Sequence, residues 1–164
     1  MITKETIIKC LKDNNVKDYE ILLTHKESKE LYYVLKNLEI NRANDIDSIK
    51  VNVYKLDDQY TSMSTIEVVS ADNYNTFSNK IKHALQACEY SKNKCYPLVN
   101  NQDNLISKDV YDYNLNKLAN NIAKAIVKAD IYEDGWINST EIFVSKYKQE
   151  FINSNGINHI DYSF

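Results

Sequence analysis

The first apolar pattern in the chain has a helical period. Ile7, Ile8 and Leu11 recur on one face within 4–14, Thr3 stands where an N-cap belongs, and Asn14-Asn15 suits the end. The period then shortens to two. Segments 19–24 and 31–38 are rich in strand formers, and the polar run Lys26-Glu27-Ser28-Lys29 between them predicts a hairpin that turns at those four residues. Ile49, Val51 and Val53 alternate with Lys50 and Asn52, and Leu56-Asp57-Asp58-Gln59 offers a turn into a strand over 60–69. This reads as a second hairpin with one wet face.

Helical spacing returns at Phe77, Ile81, Ala84, Leu85 and Cys88, with Asp72 as the candidate cap and Pro97 preventing continuation beyond 90–93. After a polar connection over 98–113, Leu115, Leu118, Ala119, Ile122, Ala123, Ile126 and Val127 predict a third helix reaching about Ala129. Glu133-Asp134-Gly135 marks a turn, and Ile142, Val144 and Tyr147 carry a strand over 136–147. A last hairpin is expected at Asn155-Gly156, a pair suited to positive φ at both central positions, with Ile152 before it and Ile157 and Ile160 after it. The order is helix, four strands, two helices, then two or three strands. It lacks the strand–helix alternation of a doubly wound parallel sheet, and predicts an α+β fold with a largely antiparallel sheet, organised as a single domain over 1–164.

Composition narrows the partners. The 164 residues are 43% hydrophobic and 26% charged, enough for one sizeable core. Twenty Lys+Arg against 23 Asp+Glu leave a net charge of -3 with no dense cationic face, so nucleic acid is not an expected partner. No segment approaches the roughly 20 consecutive apolar residues of a membrane helix, and Met1-Ile2-Thr3-Lys4-Glu5 leads into an amphipathic helix instead of a signal peptide. A membrane partner is likewise not expected, and the expected location is cytoplasmic. Cys10, Cys88 and Cys95 form no C-x-x-C pair, which reads as three free thiols. Arg42 is the only arginine, Asn is abundant, and glycine (2) and proline (1) are scarce, a bias typical of AT-rich bacterial genomes.

The residues that could carry chemistry do not assemble into a catalytic set. His25, His83 and His159 have no H-E-x-x-H spacing. Cys10 and Cys88 fall on apolar helix faces and read as core residues, and only Cys95, in a loop, is open to solvent chemistry. Asp57-Asp58 and Glu133-Asp134 sit at predicted turns, where Asp is favoured for local hydrogen bonding. Gly135 and Gly156 are too far apart to build a phosphate cradle. Thirteen tyrosines are the remaining oddity. Tyr32, Tyr33, Tyr54, Tyr60, Tyr147 and Tyr162 fall in predicted strands and could face a peptide or protein partner, as could an unpaired edge strand.

The opening helix followed by Asp18-Tyr19-Glu20-Ile21, the strand hairpins, Ala84-Leu85-Gln86-Ala87-Cys88 before Tyr96-Pro97-Leu98, and the strand entering Asn153-Ser154-Asn155-Gly156 are together similar to the N-terminal domain of the TldD/PmbA family. These are bacterial proteins linked by name to DNA gyrase modulation and regarded as metalloproteases. The likeness spans nearly the whole chain. It departs from the family pattern at Ser48–Gln59, where members commonly carry glycines and this chain has none.

The resemblance implies a longer parent whose later region binds zinc through H-E-x-x-x-H and hydrolyses peptide bonds. No such motif occurs here, so no catalytic, cofactor-binding or metal-binding residue carries over; what carries over is the structural turn Asn153, Ser154, Asn155 and Gly156. The expected role is non-catalytic. It would contribute to homo- or hetero-oligomeric association, or to access for a peptide or unfolded-protein substrate. A stand-alone peptide- or protein-binding module is the alternative, and a small hydrolase built on His83 or Cys95 is a third reading.

Overall fold

The computed structural model describes residues 2–57, 59–100, 113–131 and 133–164, and its first helix, α1 (Lys4–Asp13), forms where the apolar spacing placed it. Thr3 accepts a hydrogen bond from the Thr6 amide, and Ile7, Cys10 and Leu11 are buried. The element order continues β1 (Asp18–Val34), β2 (Asn37–Leu56), β3 (Tyr60–Val68), α2 (Tyr74–Ala87), β4 (Asn93–Lys94), α3 (Leu115–Ala129), β5 (Ser139–Asn153) and β6 (Asn158–Ser163). The sheet has six strands in the order β4-β3-β2-β1-β5-β6. The fold is α+β, and the pairing is antiparallel, as expected.

The first hairpin does not turn at Lys26-Glu27-Ser28-Lys29. β1 runs straight through those residues and reverses at Leu35-Lys36, whose φ angles are 46° and 70°. The physical reason is cross-strand pairing. His25 meets Asp47, Lys29 meets Asn41 and Glu30 meets Arg42 on β2, while Glu27 pairs with Lys146 and Lys26 lies over Tyr147 on β5, contacts that a turn would have removed. The antiparallel β2–β3 hairpin follows its prediction, with Val51 opposite Ile66 and Val53 opposite Ser64.

Other departures are local. Asp72 is not the N-cap of α2; Asn73 is, in a capping box with Thr76, while Asp72 accepts from the Val69 amide and pairs with Lys80. Asn93–Lys94, at the expected end of that helix, pair with β3 as β4. β5 begins at Ser139, later than expected, and Trp136 before it is 72% exposed. Ile160, expected on the apolar side of the last hairpin, is exposed. Most of the polar connection over 98–113 lies outside the described residues.

The chain divides into two compact units. One comprises Met1–Thr24, Ser48–Ile106 and Gln149–Ile160, the other His25–Asp47, Ser107–Lys148 and Asp161–Phe164, so β1, β2, β5 and β6 each contribute to both. In the first unit α1 and α2 lay their apolar stripes on one sheet face: Ile7, Leu11, Phe77 and Ile81 pack with Ile21, Val51, Val53, Ile66 and Ile152. Each such side chain contributes about 1.5–3 kcal/mol through burial, opposed by chain ordering. In the second unit α3 buries Leu115, Ala119 and Ala123 against Leu31, Ile142 and Val144. Small residues on α3 allow close approach to the strands.

Candidate functional site

The Asn153-Ser154-Asn155-Gly156 turn belongs to the first unit and is a polar knot. Asn153 is only 3% exposed, and its side chain works in both directions. Nδ2 donates to the Val99 carbonyl at 2.7 Å, while Oδ1 accepts from the amides of Asn155 at 3.0 Å and Ile157 at 3.1 Å. Asn155 Nδ2 reaches the carbonyls of Leu98 and Val99 and Oδ1 of Asn100. Ser154 brackets Tyr19: its amide donates to the Tyr19 carbonyl and its Oγ accepts from the Tyr19 amide.

Two segments that carried the sequence likeness, the Pro97-Leu98 region and the closing turn, therefore meet in space. The turn geometry differs from expectation. Only Gly156 has positive φ, at 90°, and its amide donates back to the Asn153 carbonyl, so this is a three-residue loop ending on glycine and not a two-residue turn. The Asn153 side chain already holds the Asn155 amide, which favours this longer form.

The titratable candidates are scattered. His83 is exposed on α2, and Cys95 donates to the Asp57 carbonyl; among the described residues no hydrogen bond joins either to a titratable side chain. Cys10 and Cys88 are buried, and burial pushes both thiols above their ordinary range, away from the reactive thiolate. Asp57 accepts from the amides of Gln59 and Tyr60, which hold its carboxyl below the ordinary range; Asp58 lies outside the described residues. Glu133 and Asp134 are exposed in the bend before β5.

The tyrosines are likewise dispersed. Tyr54 is buried and donates to Glu20, with burial and that carboxylate raising its pKa. Tyr33 packs against α3, and Tyr60, Tyr147 and Tyr162 each carry a lysine over the ring.

A cluster not anticipated from sequence surrounds His25 in the second unit. Nδ1 lies 2.8 Å from Asp47 and 3.5 Å from Asp45, and Nε2 lies 3.5 Å from Glu27, itself 2.9 Å from Lys146. The Asp47 hydrogen bond raises the His25 pKa, burial opposes it, and the charges of Asp45 and Asp47 raise it further. Placing the hairpin turn at Leu35-Lys36 would have revealed these neighbours.

No zinc site is assembled among the described residues. Among the described residues no group of three or more His, Cys, Asp or Glu side chains is placed to hold a metal ion, and His25 is engaged by carboxylates in ion pairs. No helix among the described residues is long and apolar enough to cross a membrane.

An α+β arrangement of three helices and a six-stranded antiparallel sheet among the described residues defines the structural class. Among solved structures it is the fold of TldD/PmbA-type proteins. The chain superposes on TldE from Thermococcus kodakarensis with TM-score 0.63 and 11% identity, covering 96% of this chain and 36% of that one. It matches a "putative modulator of a DNA gyrase" from Thermotoga maritima MSB8 with TM-score 0.60 and 15% identity, over 97% and 36%. A third match is a "putative modulator of DNA gyrase" from Bacteroides thetaiotaomicron VPI-5482, with TM-score 0.58 and 15% identity, over 99% and 40%. The chain thus spans well under half the length of each. No protein-family model and no curated protein matches it.

Proposed function

We propose that the chain acts as a non-catalytic domain of a TldD/PmbA-like zinc metalloprotease system, contributing to subunit association or to the route by which a peptide substrate reaches a metal site carried elsewhere. The observation that supports this reading is the coverage: nearly all of this chain superposes on a little over a third of each similar structure. The sequence itself lacks H-E-x-x-x-H, so hydrolysis would need residues outside this set. In this role the domain holds a shape. The Asn153 knot ties the turn to Leu98, Val99 and Asn100 and, through Ser154, to Tyr19 near the start of β1.

The test compares the chain alone with the product of its entire open reading frame. Zinc content is measured by atomic emission, and cleavage by release of fragments from unfolded casein. The chain alone is expected to hold no stoichiometric zinc and to release nothing. Stoichiometric zinc or cleavage by the chain alone would overturn the division of labour, as would an open reading frame whose product carries neither activity nor a partner that supplies it.

A further inference from the structure

In the first unit most of the outer edge of β3 is open. The Tyr60 carbonyl accepts from the Asp57 amide across the β2–β3 turn, so the even-numbered residues of β3 turn their backbone groups towards β2. Thr61, Met63, Thr65 and Glu67 therefore turn theirs outward. β4 takes up only the start of that edge, with Asn93 opposite Thr61 and Lys94 opposite Tyr60. At the other end the Glu67 carbonyl accepts from Lys80 Nζ at 3.0 Å, in keeping with its outward aim. Among the described residues no strand other than β2 and β4 borders β3, and the outward groups of Met63 and Thr65 and the amide of Glu67 have no hydrogen-bond partner.

Along this edge, between β3 and α2, runs an open groove of about 370 Å³. Buried Ile66 and Ala84 lie in it, with exposed His83 and Ala87 on the helix side. Two alanines on α2 leave room for side chains carried by something lying along β3. In a sheet, a residue directly opposite Ser64 or Ile66 puts its side chain on their face, over the groove, and one opposite Thr65 points to the other face. A bare edge is a template for another strand, and proteins blunt it with charge, proline or a covering element. Here Lys80 blunts it at Glu67 and β4 at Thr61. The middle, Met63-Ser64-Thr65, carries neither charge nor proline.

We propose that the β3 edge takes up an extended peptide as an added antiparallel strand, continuing the ladder that β4 begins. Thr65 is its centre: the amide and carbonyl both bond the peptide residue opposite, and the amides of Met63 and Glu67 bond the residues two away on either side. Backbone complementarity selects the occupant, since outward groups recur at every second residue, a spacing that an extended chain matches. Antiparallel pairing follows the direction β4 has already set. The side chains opposite Ser64 and Ile66 enter the groove, and β-branched apolar residues such as valine suit both the strand and that space. The inference stands apart from the role proposed above, because strand addition needs neither zinc nor a longer parent.

The test is a titration of the whole ¹⁵N-labelled chain with the N-acetylated, C-amidated peptide Lys-Thr-Val-Thr-Val-Thr-Lys, following amide shifts. The amides of Thr65 and Glu67 are expected to shift most, and those of Ser64 and Ile66, which face β2, to shift less. With the valines over the groove, the three peptide Thr amides face β3 and the two Val amides face away. N-methylation of the Thr amides therefore weakens binding by about tenfold or more, the scale of the lost hydrogen bonds, whereas N-methylation of the Val amides leaves it near the parent value. Thr65→Pro removes the outward amide and no backbone bond to β2, a substitution an edge strand tolerates, and weakens binding in the same way. If Thr65→Pro fails to fold, the two methylated peptides decide on the unaltered chain. The proposal is overturned by an absence of shifts along β3, by equal binding of the Thr-methylated peptide, by an equal loss in the Val-methylated one, or by undiminished binding in folded Thr65→Pro. It is also overturned if raising the protein concentration alone produces the same shifts, which would assign the edge to a second copy of the chain.

Discussion

Replacing Asn153 by alanine removes a side chain that makes three hydrogen bonds from a site 3% exposed. The losses are unequal. The Val99 carbonyl keeps a second donor, Asn155 Nδ2 at 3.3 Å, so it is not orphaned. The amides of Asn155, which is exposed, and Ile157, which is half-buried, lose their side-chain acceptor and must turn to water. At about 0.5–1.5 kcal/mol per bond the expected destabilisation is about 2–4 kcal/mol, a large part of the stability of a small domain. Ser154→Ala loses only an acceptor for Tyr19 at 3.3 Å and should stay within about 1 kcal/mol. Urea unfolding followed by circular dichroism, with the denaturant slope unchanged between variants, measures both. A loss below about 1 kcal/mol for Asn153→Ala, or one no greater than for Ser154→Ala, would refute the view that this side chain is the clamp.

Three further outcomes follow from the same structure. Gly156→Ala puts a side chain at φ 90°, where space is open but the backbone is strained, and should lower stability by about 1–2 kcal/mol in the same urea assay. Leu35→Asn places a residue tolerant of the left-handed region at an exposed turn position with φ 46° and should raise stability by about 0.5–1 kcal/mol, seen as a higher urea midpoint. His25 has a folded pKa above its ordinary 6.5, so its contribution is complete below about pH 6.5 and is lost as the pH rises through the higher folded value. The melting temperature of the parent should therefore fall across that window relative to His25→Gln; parallel curves for the two proteins would count against the cluster.

How much could be read in advance depended on the range of the interaction. Ile7, Leu11, Phe77, Ile81 and the α3 stripe declared their helices because a buried face repeats within one element and needs no knowledge of its neighbour. Lys26-Glu27-Ser28-Lys29 misled for the opposite reason. Its polar side chains meet partners on β2 and β5 that are distant in sequence, and the true turn uses Leu and Lys in a conformation that local preference disfavours. The His25 cluster was hidden with it, since Asp45 and Asp47 come alongside only once the hairpin is folded at Leu35-Lys36.

By itself the sequence determined the α+β class, the helices and the place of the closing hairpin, because periodicity, capping and the Asn-Gly signal act over a few residues. It also showed that the zinc motif is missing. Only the tertiary structure decided what Asn153-Ser154-Asn155-Gly156 holds, that β1 and β2 continue through two compact units, and that β4 pairs with only the first two residues of β3. Those features depend on which distant backbone atoms and charges are brought within about 3 Å, and hydrogen bonds and ion pairs do not reach much farther.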